Sequence, residues 1–188
     1  MSQALITSVN DGSQVIAGEY NRGLGQYAMR APAPLVAVGG SLVPGLFCAR
    51  RGTNFSTVTS LDEITSPTVA DVVGAVARMK VAIGGDISYY EIMQNLLDNV
   101  TLIDVLERIE GYYWAWVGAA LTDPSKVYIA TTTSGTGSSQ IIAGSVVPAS
   151  TSGALDISSI ATFSSYAGGA FNYAAGSLVP VVINDIRR

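Results

Sequence analysis

Tyr112-Tyr113-Trp114-Ala115-Trp116-Val117 is the stretch on which the fold turns. Aromatic and β-branched residues favour an extended, half-buried strand. Side chains leave such a strand on alternate faces, so Tyr112, Trp114 and Trp116 share one face and Tyr113, Ala115 and Val117 the other. Immediately upstream, Val100 to Arg108 reads as another strand, and Ile109-Glu110-Gly111 between them predicts a hairpin. Downstream, the Asp123-Pro124-Ser125 turn leads into a strand over Lys126 to Thr132. A polar loop from Ser134 to Ser139 follows, then strands over Gln140 to Val147, Ile157 to Phe163 and Leu178 to Ile183.

The same pattern continues towards the N-terminus. Leu35 to Val38 is a strand, and Leu42 to Ala49 a second one, interrupted at Pro44-Gly45. The run Val69 to Met79 admits two readings. Ser66-Pro67 resembles a helix start, but the density of valine, with Gly74 inside, favours a buried strand. The best helical signal lies at Ser88 and Glu91, spaced as a capping box, with Tyr89, Ile92, Met93, Leu96 and Leu97 recurring at helical intervals. About ten short strands and one short helix predict an all-β sandwich or jelly roll. Gly-Ser-Leu-Val-Pro occurs at residues 40–44 and again at 176–180, too little to mark an internal duplication.

Residues 1–34 differ from the rest. Gly12, Gly18, Gly23 and Gly25 break them up, and Ala31-Pro32-Ala33-Pro34 closes them off. Their apolar residues are too sparse for core strands, and their low charge argues against a free tail. They read as an extended arm that lies over the domain or reaches a neighbour, followed by a β domain over 35–188 with a partly helical insertion near 83–99.

Composition narrows the function. Among 188 residues there is no histidine, one cysteine (Cys48) and two lysines (Lys80 and Lys126). Imidazole, thiolate and tuned amine are the usual carriers of chemistry near pH 7. Ser–His–Asp and Cys–His nucleophiles and His/Cys zinc sites are thereby excluded. Asp104 with Glu107, or Glu107 with Glu110, could act as carboxylate pairs, but residues three apart on a strand face opposite ways. Gly135-Thr136-Gly137 lacks the ending of a phosphate loop, and the acidic residues lack calcium-loop spacing. No catalytic, cofactor or metal site is predicted. The tryptophan stripe reads as core filling, with an exposed sugar-stacking face on a tail or fibre module as the alternative.

Charged residues make up only 13% and mean hydropathy is +0.37, against about 25% charged in ordinary globular domains. No apolar run approaches the roughly 20 residues of a spanning helix. The first residues lack a signal-peptide pattern. The expectation is therefore a chain made inside a cell that covers its surface with protein partners, not membrane. A net charge of −4 argues against nucleic acid.

Several segments together resemble one family, the structural cement or head-decoration proteins of tailed double-stranded DNA bacteriophages. They are the glycine-rich arm from Gln14 to Arg30, the small-residue strand region Leu35 to Ala49, the Val/Gly strand Val72 to Arg78, and the aromatic strand Tyr112 to Val117 after an apolar strand ending in Arg108. Lys126-Val127-Tyr128, Ala161-Thr162-Phe163 and Leu178 to Asn184 complete the likeness. Residues 83–99 depart from it as an insertion. The resemblance implies a jelly-roll-like sandwich on the outside of a virion capsid, formed in the host cytoplasm, homo-oligomeric as a dimer or trimer, and bridging major capsid protein subunits. On that reading Tyr20, Arg22, Tyr27 and Arg30 are the arm residues best suited to a capsid or oligomer interface, because Tyr and Arg favour interface hot spots.

Overall fold

A computed structural model describes residues 6–8, 14–18, 20–21, 28–30, 35–37, 42–52, 57–77, 101–103, 105–109, 111–137, 140–164 and 170–184. The chain forms β1 (Ile6–Ser8), β2 (Gln14–Ile16), β3 (Tyr20–Asn21), β4 (Ala28–Arg30), β5 (Leu35–Ala37), β6 (Phe47–Arg50) and β7 (Thr57–Thr59). After two 3-10 turns, Leu61–Glu63 and Val69–Asp71, come β8 (Val72–Val76), β9 (Thr101–Ile103), β10 (Val105–Ile109) and β11 (Tyr112–Trp116). The remainder holds β12 (Tyr128–Ala130), β13 (Val146–Val147), β14 (Ala154–Asp156), β15 (Ala161–Phe163) and β16 (Leu178–Ile183). The fold is all-β, and the helical structure among the described residues is of the short 3-10 kind. The helix expected within 83–99 lies outside the described residues.

A seven-stranded sheet runs in the order β4-β10-β8-β6-β7-β5-β9, and a four-stranded one in the order β15-β16-β11-β3. A three-stranded sheet, β13-β12-β14, and the β1–β2 pair complete the set. The pairings are antiparallel except that of β5 with β7. The main core joins the two larger sheets and takes in Ile129 and Val146 of the three-stranded one. Tyr113, Ala115 and Val117 meet Val179, Val181 and Ile183 of β16, Phe47 and Ala49 of β6, Ala75 of β8, and Leu106 and Ile109 of β10.

The seven-stranded sheet is buried on its other face too, where Cys48, Val58, Val76 and Val105 cluster with Leu42. Burial on both faces explains why β8 reads as a run of small apolar residues without alternation. At Gly74 the backbone of β10 comes so close that an added Cβ would strike Leu106 O and Val105 Cγ1. The valine-rich run is therefore a strand as expected, but only from Val72. Its first residues form a 3-10 turn because the Thr68 N–H and hydroxyl both donate to Asp71 Oδ2, at 2.8 and 2.7 Å.

The predicted β10–β11 hairpin does not form. Both neighbours of β10 are other strands, β4 and β8, and both neighbours of β11 are β16 and β3. The chain instead crosses at buried Gly111 from one sheet to the other. Tyr113 then faces the sheet that β10 belongs to, and its hydroxyl donates to Val76 O at 2.7 Å.

Three further expectations need correction. Leu42–Leu46 is not strand, because the Pro44-Gly45 turn (Gly45 φ 101°) delays β6 to Phe47. In Gln140–Val147 only Val146–Val147 is strand, since Gly144, φ 88°, turns the chain against the Phe47 backbone. Ile157–Ile160 is a turn closed by the Ile160 and Ala161 N–H groups on Ile157 O, which leaves β15 three residues long. The strand Ala154–Asp156 had no alternation to announce it, all three residues being half-buried.

Candidate functional site

Two of the four arm residues singled out from the sequence fall in described strands. Tyr20 stands opposite Tyr113 at the edge of the four-stranded sheet, and Asn21 opposite Tyr112. Arg30 stands opposite Leu106 at the edge of the seven-stranded sheet, with Met29 and Ala28 opposite Arg108 and Ile109. Arg22 and Tyr27 lie outside the described residues. The arm thus pairs in reverse with the β10–β11 segment, following it from one sheet to the other. Tyr20 and Arg30 come to the rims of two different sheets rather than to one cluster.

The best-defined contact between arm and domain was not evident from the sequence. Ala17, 3% exposed, packs with Leu178 (5% exposed) and the half-buried Trp114 and Trp116. The Gly18 N–H donates to Trp114 O at 3.0 Å, and the Trp116 N–H donates to Gly45 O at 2.9 Å. A Cβ on Gly45 would lie 2.9 Å from the Ala17 Cβ, closer than two carbons approach. Gly45 therefore serves two ends: it allows the left-handed turn and leaves room for the Ala17 methyl. The only sequence signal for this slot is the Pro44-Gly45 pair itself.

The tryptophan stripe is not core filling, contrary to the favoured reading of its sequence. Tyr113, Ala115 and Val117 are the buried face, while Tyr112, Trp114 and Trp116 are half-buried on the outer one. The Tyr112 and Trp114 rings meet edge to face, with centroids 5.3 Å apart and planes at 82°. Rings so disposed offer no single flat platform for a sugar ring. A second group, Phe163, Phe171 and Tyr173, packs edge to face at the margin of the main core. Partial burial there raises the Tyr173 pKa.

Reactive groups are few. Cys48 is buried, its thiol donates to Gly74 O at 3.6 Å, and burial pushes its pKa up to about 12. A thiol so held is inert at neutral pH. Asp156 accepts from the Ser158 N–H at 2.9 Å and from Lys126 Nζ at 2.9 Å. Hydrogen bonding to Ser158, then to Lys126, lowers its pKa to about 2. Ser125 similarly lowers that of Asp123. Glu107 is half-buried, and its proposed partners Asp104 and Glu110 lie outside the described residues. Among the described residues no three His, Cys, Asp or Glu side chains gather as metal ligands. The Gly135-Thr136-Gly137 segment is a hairpin loop closed by the Ser134–Ile141 bridge.

The described surface is mild. Val43, 36% exposed, is its one exposed large hydrophobic residue, and no helix among the described residues is long and apolar enough to cross a membrane. No protein-family model matches the chain, and no curated protein matches it.

Proposed function

We propose that this protein is a virion structural protein that binds the outside of a capsid and cements neighbouring major capsid protein subunits as a homo-oligomer, acting by binding without catalysis. The observation that carries this reading is the leading segment, which joins the domain at the rims of both larger sheets through short pairings. A segment so attached can order on a neighbouring subunit while the core stays unchanged, and the ordering cost is met by contacts made at assembly. The charge-poor sequence and the resemblance in the arm, the Val/Gly strand and the aromatic strand support the same reading. A jelly-roll arrangement belongs to it. The two-stranded ribbon of the arm and the β10–β11 segment, bent from one sheet into the other, is the kind of element from which such folds are wound.

Several subunit contacts of modest strength, engaged at once by one oligomer, combine into high avidity. Heating particles assembled with and without the protein tests this, with genome release as the signal. Particles that carry it should release the genome at a higher temperature; equal release temperatures overturn the reading. Binding to a glycan array with no effect on particles would favour recognition of a host surface instead.

A further inference from the structure

We infer that the slot formed by Gly45, Trp114, Trp116 and Leu178 also accepts the Ala17–Gly18 step of a second copy of this chain, so that copies associate by exchanging leading segments. The inference rests on the self-association within the proposed function, not on capsid binding. The slot is shaped for this occupant. The Ala17 methyl fills the space where a Gly45 side chain would be, and the Gly18 N–H caps Trp114 O. A residue much larger than alanine would strike the Gly45 backbone, so the slot selects a small residue followed by a free N–H.

Few described contacts hold the step in place: one methyl, one backbone hydrogen bond, and the two-residue pairing of β3 with β11. The strand just upstream, β2, belongs to a separate two-stranded sheet with β1. Such a pair is marginal in water by itself. Fixing each backbone residue costs conformational entropy, and one methyl with a few net hydrogen bonds offsets little of it. The described contacts at this step therefore contribute little to holding it within its own chain. A released segment leaves Trp114, Trp116 and Leu178 uncovered. Contacts made within a chain and between chains are the same, so concentration decides which form prevails. Among the described residues Val43 is the one exposed large hydrophobic.

The test is molar mass by light scattering on the full chain over a wide concentration range, with Ala17→Asp to spoil the segment and Gly45→Val to close the slot. The wild-type mass should rise with concentration. Ala17→Asp should remain a single copy until at least tenfold higher concentration, and so should Gly45→Val. A one-to-one mixture of the two variants should regain association, since one supplies the segment and the other the slot. A wild type that stays monomeric throughout, or an Ala17→Asp chain that associates like the wild type, overturns the exchange. Should Gly45→Val fail to fold, the comparison of Ala17→Asp with wild type decides by itself. A monomeric chain that still stabilises particles would end the exchange and leave the cement reading standing. An exchanging chain with no effect on particles would do the reverse.

Discussion

Tyr113 shows how one side chain can tie two sheets together. Its ring lies in the main core, edge to face with Phe47 at 6.4 Å, and its hydroxyl reaches Val76 O in the opposite sheet. Burial raises its pKa well above the ordinary phenol value, so it stays a neutral donor. Val76 O also accepts from the Gly45 N–H at 3.1 Å. Tyr113→Phe therefore removes one of two donors without leaving the carbonyl bare. We expect a loss of about 1 kcal/mol, the net worth of one hydrogen bond, seen as a lower urea midpoint with an unchanged slope. A loss of several kcal/mol would mean that the carbonyl depends on the phenol alone. The alternation of residues 112–117 separated the two faces, but the larger aromatic stripe pointed to the wrong one as inward, and Tyr113 lies on the buried face. Its partner was not legible, because nothing local to Val76 marks its carbonyl as an acceptor.

Between elements, local pattern gave strand identity better than pairing. Leu178–Ile183 has the predicted bounds, since a run of Val and Ile bounded by turn residues leaves little choice. Tyr112 to Val117 was also legible as a strand, but Val100 to Arg108, expected as one strand, holds two that pair apart, β9 with β5 and β10 with β4 and β8, and adjacency along the chain misled about the partners. Short connections favour hairpins only when neither strand is claimed by stronger neighbours. The turn after β14 was missed for a related reason: it is built from side chains. There Asp156 accepts from the Ser158 N–H, Ser158 Oγ accepts from the Val127 N–H at 3.1 Å, and Lys126 pairs with Asp156. The Asp156 pKa is lowered, so its charge contributes stability above the unfolded value near 3.9. That contribution is lost as pH falls through about 2. Asp156→Asn keeps the turn's acceptor and removes the charge. The ion pair is solvent-exposed, so the variant should lose under about 1 kcal/mol at pH 7. The gap in thermal midpoint should close between pH 4 and 2. A gap that persists at pH 2 would assign the effect to packing instead.

Over the whole molecule, the division into arm and β domain drawn from composition meets a finer arrangement, in which pieces of residues 14–30 are strands at sheet rims. Glycine spacing could announce a segment unable to form a core, but not the places where two or three of its residues would complete a sheet. Those places depend on free edges of β10 and β11, which lie some eighty residues downstream. A chain lacking residues 1–18 should expose the outer faces of Trp114 and Trp116. We expect its tryptophan emission to shift to the red and its quenching by iodide to increase. An unchanged spectrum would mean that the leading segment does not cover them in solution.

The placement of β16 between β15 and β11 has a consequence for biosynthesis. Some sixty residues separate the end of β11 from the start of β16, about 3–12 s of translation at typical ribosomal speed. Throughout that interval the nascent strand bearing both tryptophans has an unpaired edge, a template for unwanted strand addition to other emerging copies. Chaperones that shield aromatic segments at the tunnel exit should therefore govern how much of this protein matures.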